Sequence, residues 1–296
     1  MIVLSTQRPA WAILGRMDAV GRAELGLTLA GIDPDKPSPA RIYDFWLGGS
    51  QNFEADRAAG RRAAEAMPTL TAAIRANRAF LGRVVRDLVA QRGVTQFLDL
   101  GSGVPTVGNV HEVAKEANAD VRVVYVDIDP VAIAHARHLL AGVDGVEAIL
   151  ADLRRPESVL AHPLVPASLD LGKPVALLFN AVLHFIADAE QPERILRAFL
   201  EAVPPGSYLA LSHAAPDLAH RDEQETMLED YRRSTAAPFT NREPEVIAGW
   251  LDGMEICPPG VVTVDEWMPD PDGPREQILR TYGVLARKRT EPARAV

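Results

Sequence analysis

Residues 97–105 read Phe97-Leu98-Asp99-Leu100-Gly101-Ser102-Gly103-Val104-Pro105, an apolar run that breaks into a glycine turn. The run from Gln96 to Leu100 predicts a buried strand, and a helix is expected over residues 107–118. A turn with two glycines brings backbone amides close to a ligand at a helix N-terminus, where free N–H groups favour polar or anionic groups. The dinucleotide pattern GxGxxG asks for a third glycine at position 106, where this chain has Thr106.

The same alternation continues outward from this segment. Apolar, β-branched runs at 121–127, 146–151, 175–179 and 208–212 predict further strands. Helices are expected between them at 131–140 and 191–203, the latter carrying Ile195, Leu196, Phe199 and Leu200 on one stripe. Parallel βαβ units of this kind make an open, doubly wound α/β sheet. Upstream, residues 69–91 predict a long helix with Thr69 capping its start and Gly93 after its end. Downstream, helices are expected at 222–233 and 244–251. A strand region at 254–267 is broken by Pro258 and Pro259, and a final run spans 281–287.

Three predicted strands end in carboxylates, at the edge where open α/β sheets bind ligands. Asp99 stands two residues before Gly101, a DxGxG arrangement more typical of S-adenosylmethionine sites than of NAD sites. The ammonium group of such a ligand gives the carboxylate a positive partner; bracing the turn through backbone N–H groups is the other reading. Asp127, followed by Ile128, lies 24 residues beyond Gly103. An acid about 20 residues past the glycines is where a ribose diol is held. Capping the helix opened by Pro130 is the alternative, and for Asp129 capping is the preferred reading. Asp152, with Leu153 beside it, is placed to accept the adenine amino group or to cap a helix near Pro156.

With these residues the sequence resembles a class I S-adenosylmethionine-dependent methyltransferase. The resemblance sharpens upstream, in Pro39-Ala40-Arg41-Ile42-Tyr43-Asp44-Phe45-Trp46-Leu47-Gly48-Gly49 and Asn52-Phe53-Glu54-Ala55-Asp56-Arg57. It extends to Arg75-Ala76-Asn77-Arg78-Ala79-Phe80-Leu81, Val124 to Pro130 and Val182 to Ile186. These segments are similar to an actinobacterial methyltransferase-like family once catalogued as a domain of unknown function, over about residues 37–288. The resemblance implies a Rossmann-like class I methyltransferase fold, its sheet mainly parallel with an antiparallel last strand, plus a helical N-terminal cap. It implies S-adenosylmethionine as cofactor and no particular acceptor. The division expected is a poorly ordered extension at 1–36, the cap at 37–93, the cofactor-binding core at 94–288 and a polar tail at 289–296.

Methyl transfer is an in-line displacement at an activated carbon, so positioning and proton removal are the tasks left to side chains. No metal is needed. His184 follows the fourth strand and is the candidate base; a packed histidine with one satisfied nitrogen is the competing reading. Asn180 either orients the acceptor or the methionine end of the cofactor, or simply terminates the strand. Tyr43, Trp46 and the Gly48-Gly49 pair can form a flap over the cofactor or pack on the core. Arg41 and Asn77 are weaker candidates for its carboxylate, His213 is a second site-edge candidate, and His111 is expected to pack or cap.

Composition limits the alternatives. The 31 Lys+Arg against 40 Asp+Glu give a formal charge of −9, which argues against a nucleic-acid partner and toward a small-molecule or protein acceptor. Cys257 is the single cysteine, so no internal disulfide forms and a cytoplasmic setting fits. No export signal is read in the first residues, where Met17 offers an alternative start, and no apolar run is long enough to span a membrane. An NAD-dependent oxidoreductase is the rival on fold grounds, weakened by Thr106 and by the lack of a Tyr-x-x-x-Lys pair. A hydrolase lacks its GxSxG elbow. A non-catalytic protein that binds or senses S-adenosylmethionine is the other alternative.

Overall fold

The computed structural model describes residues 32–106, 108–235, 237–269 and 278–289. The extension expected at 1–36 and the tail expected at 289–296 lie for the most part outside the described residues. Three helices come first: α1 (Pro39–Trp46), α2 (Glu54–Ala66) and α3 (Leu70–Ala90). Strand β1 (Gln96–Leu100), helix α4 (Val110–Ala117), β2 (Arg122–Asp127), α5 (Pro130–Leu139) and β3 (Val146–Leu150) follow. Short helices α6 (Pro156–Leu160) and α7 (Leu164–Ser168) lead to β4 (Ala176–Asn180), α8 (Pro192–Glu201) and β5 (Tyr208–Ala214). Then come α9 (Arg221–Thr235), α10 (Pro244–Trp250), β6 (Met254–Ile256), β7 (Val262–Thr263) and β8 (Thr281–Lys288).

The sheet order is β3-β2-β1-β4-β5-β8-β6, with β7 also on β8. Strands β1 to β5 are parallel, whereas β8 runs antiparallel to β5, as expected for the last strand. The order reverses between β1 and β4, which opens a crevice at their carboxyl ends. Alternation along each strand splits the core in two. Phe97, Tyr125 and Leu178 face α3, α4 and α5, while Leu98, Val124 and Phe179 face α8 and α10. Fully buried Phe80, Phe97, Phe179 and Phe199 each contribute roughly 1.5–3 kcal/mol by leaving water. A third cluster, with Ile42, Met67, Met227 and Tyr231, joins α1, α2 and α9 beside the crevice.

Two helix starts differ from expectation. Thr69 makes no capping bond, and its buried Oγ1 is unpaired. The helix after the glycine turn begins at Val110, because Glu112 Oε2 accepts the Asn109 N–H at 2.8 Å and fixes the cap there.

Candidate active site

A cavity of about 570 Å³ occupies the crevice, within the range of small-molecule and cofactor sites. Asp99, Asp127 and Asp152, the three strand-end carboxylates, line it together with Gly101, Ser102 and Gly103. Ile128, Leu153, Asn180 and Tyr43 also line it; Gly48 and Asn77 do not.

The glycine turn is shaped by its neighbours. Gly101 has φ +78°, and a Cβ there would sit 2.2 Å from Val182 Cγ2, so neither the conformation nor the space admits a side chain. Its N–H and that of Ser102 donate to Val126 O at 2.8 and 3.0 Å, and the Gly103 N–H donates to Asp127 Oδ2 at 2.7 Å. The amides expected to meet a ligand are therefore held within the fold. The turn offers close backbone approach, and polar contact falls to the side chains around it.

Asp127 Oδ1 accepts the Asp129 N–H at 2.8 Å, and burial pushes the carboxyl up to about 6 against the backbone bonds that lower it. Asp129 caps α5, accepting from Val131 and Ala132 at 2.8 and 3.2 Å. Beside them Ile128 is 59% exposed, an apolar side chain presented to the cavity. Asp99 is only 4% exposed; burial raises it to about 7, the Arg78 charge opposing and the Asp127 charge adding. Asp152 does not cap the Pro156 helix, whose N-cap is Arg155. It pairs instead with Arg154 at 2.8 Å, and those bonds outweigh partial burial to hold it below the usual carboxylate range.

Arg78 is the residue that sequence reasoning passed over. It lines the cavity with Asp99, and its Nη2 donates to Asn109 Oδ1 at 3.1 Å. Its neighbour Asn77 was expected at the cofactor carboxylate. One residue along a helix turns the side chain by about 100°, which sends Asn77 to another wall. There its Nδ2 donates to the Tyr43 hydroxyl at 2.9 Å.

The N-terminal signature is a polar clamp rather than a glycine flap. Asp44 accepts from Gln51 N–H at 2.8 Å, Asn52 Nδ2 at 2.7 Å and Thr106 Oγ1 at 3.0 Å. A Cβ on Gly49 would fall 1.9 Å from Asp44 Oδ1. Gly48, with φ +80°, follows the end of α1, and its neighbour Leu47 lines the cavity while Gly48 does not. Asp56 Oδ2 accepts from Phe53 N–H at 2.7 Å and Arg41 Nε at 2.9 Å, so Arg41 is committed to the clamp. Trp46 Nε1 donates to Gly60 O at 2.9 Å.

Behind Tyr43 and Phe185, which line both spaces, lies an inner chamber of about 50 Å³. His184 lines this chamber and not the outer cavity; it is 6% exposed and its Nδ1 has no partner. Burial pushes it well below the usual histidine range, helped by the His213 and Arg242 charges, so it is neutral. Ala181, at φ +52°, makes the sharp turn out of β4, its N–H held by Ser212 Oγ at 2.9 Å. Ser212 Oγ in turn donates to Asn180 Oδ1 at 2.8 Å. Arg242 fixes the following loop through Leu183 O at 3.1 Å, Ile186 O at 2.8 Å and Asp188 Oδ1 at 2.7 Å. His213 is fully buried between Ala214 O and Arg242, outside both spaces, and His111 packs on the Tyr125 hydroxyl.

A donor set of buried carboxylates, a cation and an exposed apolar side chain fits a ligand that carries a ribose, an amino-acid end and a base. Residues 27–289 match the S-adenosyl methyltransferase family. Among solved structures, a candidate methyltransferase from Thermobifida fusca is 38% identical, with 88% of this chain and 98% of that one covered at a TM-score of 0.81. A DUF574 family protein from Streptomyces avermitilis is 36% identical, with 86% and 99% covered at a TM-score of 0.82. A search of curated proteins finds no match. With the family matched along most of its length, the chain belongs to the S-adenosyl methyltransferases, enzymes that use S-adenosylmethionine.

Proposed function

We propose that the protein transfers the methyl group of S-adenosylmethionine to a small-molecule acceptor, with the cofactor in the outer cavity and the acceptor entering from the inner chamber. The observation that carries this reading is the meeting of Asp99, Asp127 and Asp152 at one cavity edge, next to a second space holding a neutral histidine. When bound, S-adenosylmethionine supplies a methyl carbon made electrophilic by its sulfonium.

Asp127, with one lone pair on each oxygen left by its backbone donors, holds the ribose hydroxyls. Asp99 faces the cofactor ammonium and Arg78 its carboxylate, a pairing of opposite charges across one wall. Ile128 and Leu153 cover the base, while Asp152, fixed by Arg154, meets its amino group. Asn180, locked by Ser212, bounds the methionine end. His184 takes the acceptor's proton at Nδ1, and its neutrality keeps that lone pair free at neutral pH.

Calorimetry with S-adenosylmethionine and with NADH tests the cofactor half. Micromolar binding of S-adenosylmethionine is expected, weakened at least about tenfold by Asp127→Ala and unchanged by His184→Ala. Transfer of labelled methyl to low-mass extract components, reduced by His184→Ala, tests the acceptor half. Label only on protein or nucleic acid, or equal turnover of the variant, overturns it.

A further inference from the structure

The inner chamber is walled by rings drawn from four parts of the chain. His184 stacks on Phe239 at 4.4 Å and 20°, Phe185 on Tyr231 at 6.2 Å and 22°, and Tyr231 on Trp46 at 6.3 Å and 23°. Flat apolar walls of this kind favour a flat apolar occupant, since offset and edge contacts between rings add about 0.5–1.5 kcal/mol to area burial.

Into these walls are set polar atoms without partners. Among the described residues six buried side-chain polar atoms are unpaired, and three belong to chamber residues: Asn77 Oδ1, His184 Nδ1 and Asn241 Oδ1. Each unpaired group costs about 1–3 kcal/mol, so three around one space of about 50 Å³ point to a missing partner there. The Asn77 orientation follows from its surroundings. The Tyr43 hydroxyl lies 3.4 Å from Ile74 O, to which it donates, and receives Asn77 Nδ2 at 2.9 Å, leaving Oδ1 as the open acceptor. Asn77 is 2% exposed and His184 6%, so both are shielded from bulk solvent. Two amide oxygens are acceptors, and a neutral imidazole protonated on Nε2 presents Nδ1 as a third.

Resting on the outer cavity being the cofactor site, we infer that the inner chamber selects a phenol-class acceptor, a planar aromatic ring whose hydroxyl donates its one proton to His184 Nδ1, leaving Asn77 Oδ1 and Asn241 Oδ1 to further donor groups on the ring. The ring lies among Phe185, Phe239 and Tyr231, and the hydroxyl sits where His184 Nδ1 accepts its proton. The phenol oxygen bonds the methyl carbon as its O–H bond breaks, the proton passes to His184, and the carbon–sulfur electron pair stays on sulfur. The chamber is narrow for a whole ring. The inference therefore requires Phe185 and Phe239, both half-buried, to turn aside when the ring enters.

The test is calorimetry on the full chain with S-adenosylhomocysteine present, using phenol, anisole and cyclohexanol as probes. Phenol is expected to bind about tenfold more tightly than anisole, which lacks the donor, and than cyclohexanol, which lacks the flat ring. His184→Phe lowers phenol affinity about tenfold while S-adenosylmethionine affinity stays the same. Equal binding of the three probes, or unchanged phenol affinity in His184→Phe, overturns the inference. S-adenosylmethionine binding without phenol binding also overturns it and leaves the cofactor site standing. Selective phenol binding without S-adenosylmethionine binding supports the chamber and refutes the cofactor reading.

Discussion

Arg41 Nη1 donates to Asp129 Oδ2 at 3.0 Å across 88 residues of sequence, tying the N-terminal helix α1 to the end of β2. Asp56 holds the same guanidinium from the other side at 2.9 Å, and all three groups are buried. Removing the cation strands two carboxylates in a dry setting. Arg41→Ala is expected to lower stability by about 3–5 kcal/mol in urea titration, and Arg41→Lys, which keeps the charge without the fork, by less.

Gly101 separates two costs that usually arrive together. Gly101→Ala meets Val182 and also places a Cβ at φ +78°. The double variant Gly101→Ala, Val182→Ala removes the clash and keeps the backbone penalty of about 1–2 kcal/mol. Thermal unfolding should show a large loss for the single variant and partial recovery for the double one.

Asp99 sets a pH dependence with a definite sign. Its folded pKa of about 7 lies above the ordinary carboxylate value. Its contribution to stability is thus present in acid and is lost as pH rises through about 7. In the cofactor-free protein, Asp99→Asn should match the parent in melting temperature near pH 4 and exceed it by a few degrees at pH 8. The same substitution removes the proposed partner of the cofactor ammonium, so S-adenosylmethionine affinity should fall about tenfold or more at pH 8. In the parent, affinity should weaken as pH drops below 7, because the cationic ligand binds the ionised form.

Arg242 acts on the proposed base through backbone. It holds the carbonyls of Leu183 and Ile186 on either side of His184 and Phe185. Arg242→Met should leave cofactor affinity within about twofold and lower kcat about tenfold or more, because the loop that aims His184 loses its anchor. Calorimetry beside steady-state kinetics reads the two effects separately.

The sheet and its carboxylate edge were legible because each strand, turn and following helix is written in one short stretch. Asp99, Gly101, Gly103 and Asp127 stand within 29 residues, and local rules for strands and turns place them. The preference for Asp129 as a cap came from Pro130 beside it, and its bonds to Val131 and Ala132 agree. What stayed hidden depends on contacts between distant segments. Nothing near Asn241 or Phe239 marks them, since they reach the chamber only because the chain returns after α9. Arg78 and Asn77 sit side by side in sequence and serve different spaces, a distinction that the rotation of α3 makes. The Gly48-Gly49 pair reads as part of a flap over the cofactor or as packing on the core, yet one glycine follows the end of a helix and the other makes room for Asp44.

The amides of Gly101, Ser102 and Gly103 are satisfied by Val126 and Asp127 before any ligand arrives. Ordering such a loop costs roughly 1–2 kcal/mol of conformational entropy per residue, and here that cost falls on folding. Binding then starts from a preformed cradle, and release of the spent cofactor does not have to melt one. In the proposed function, the turn works as a fixed jig through each catalytic cycle, its shape set by folding and not by the ligand.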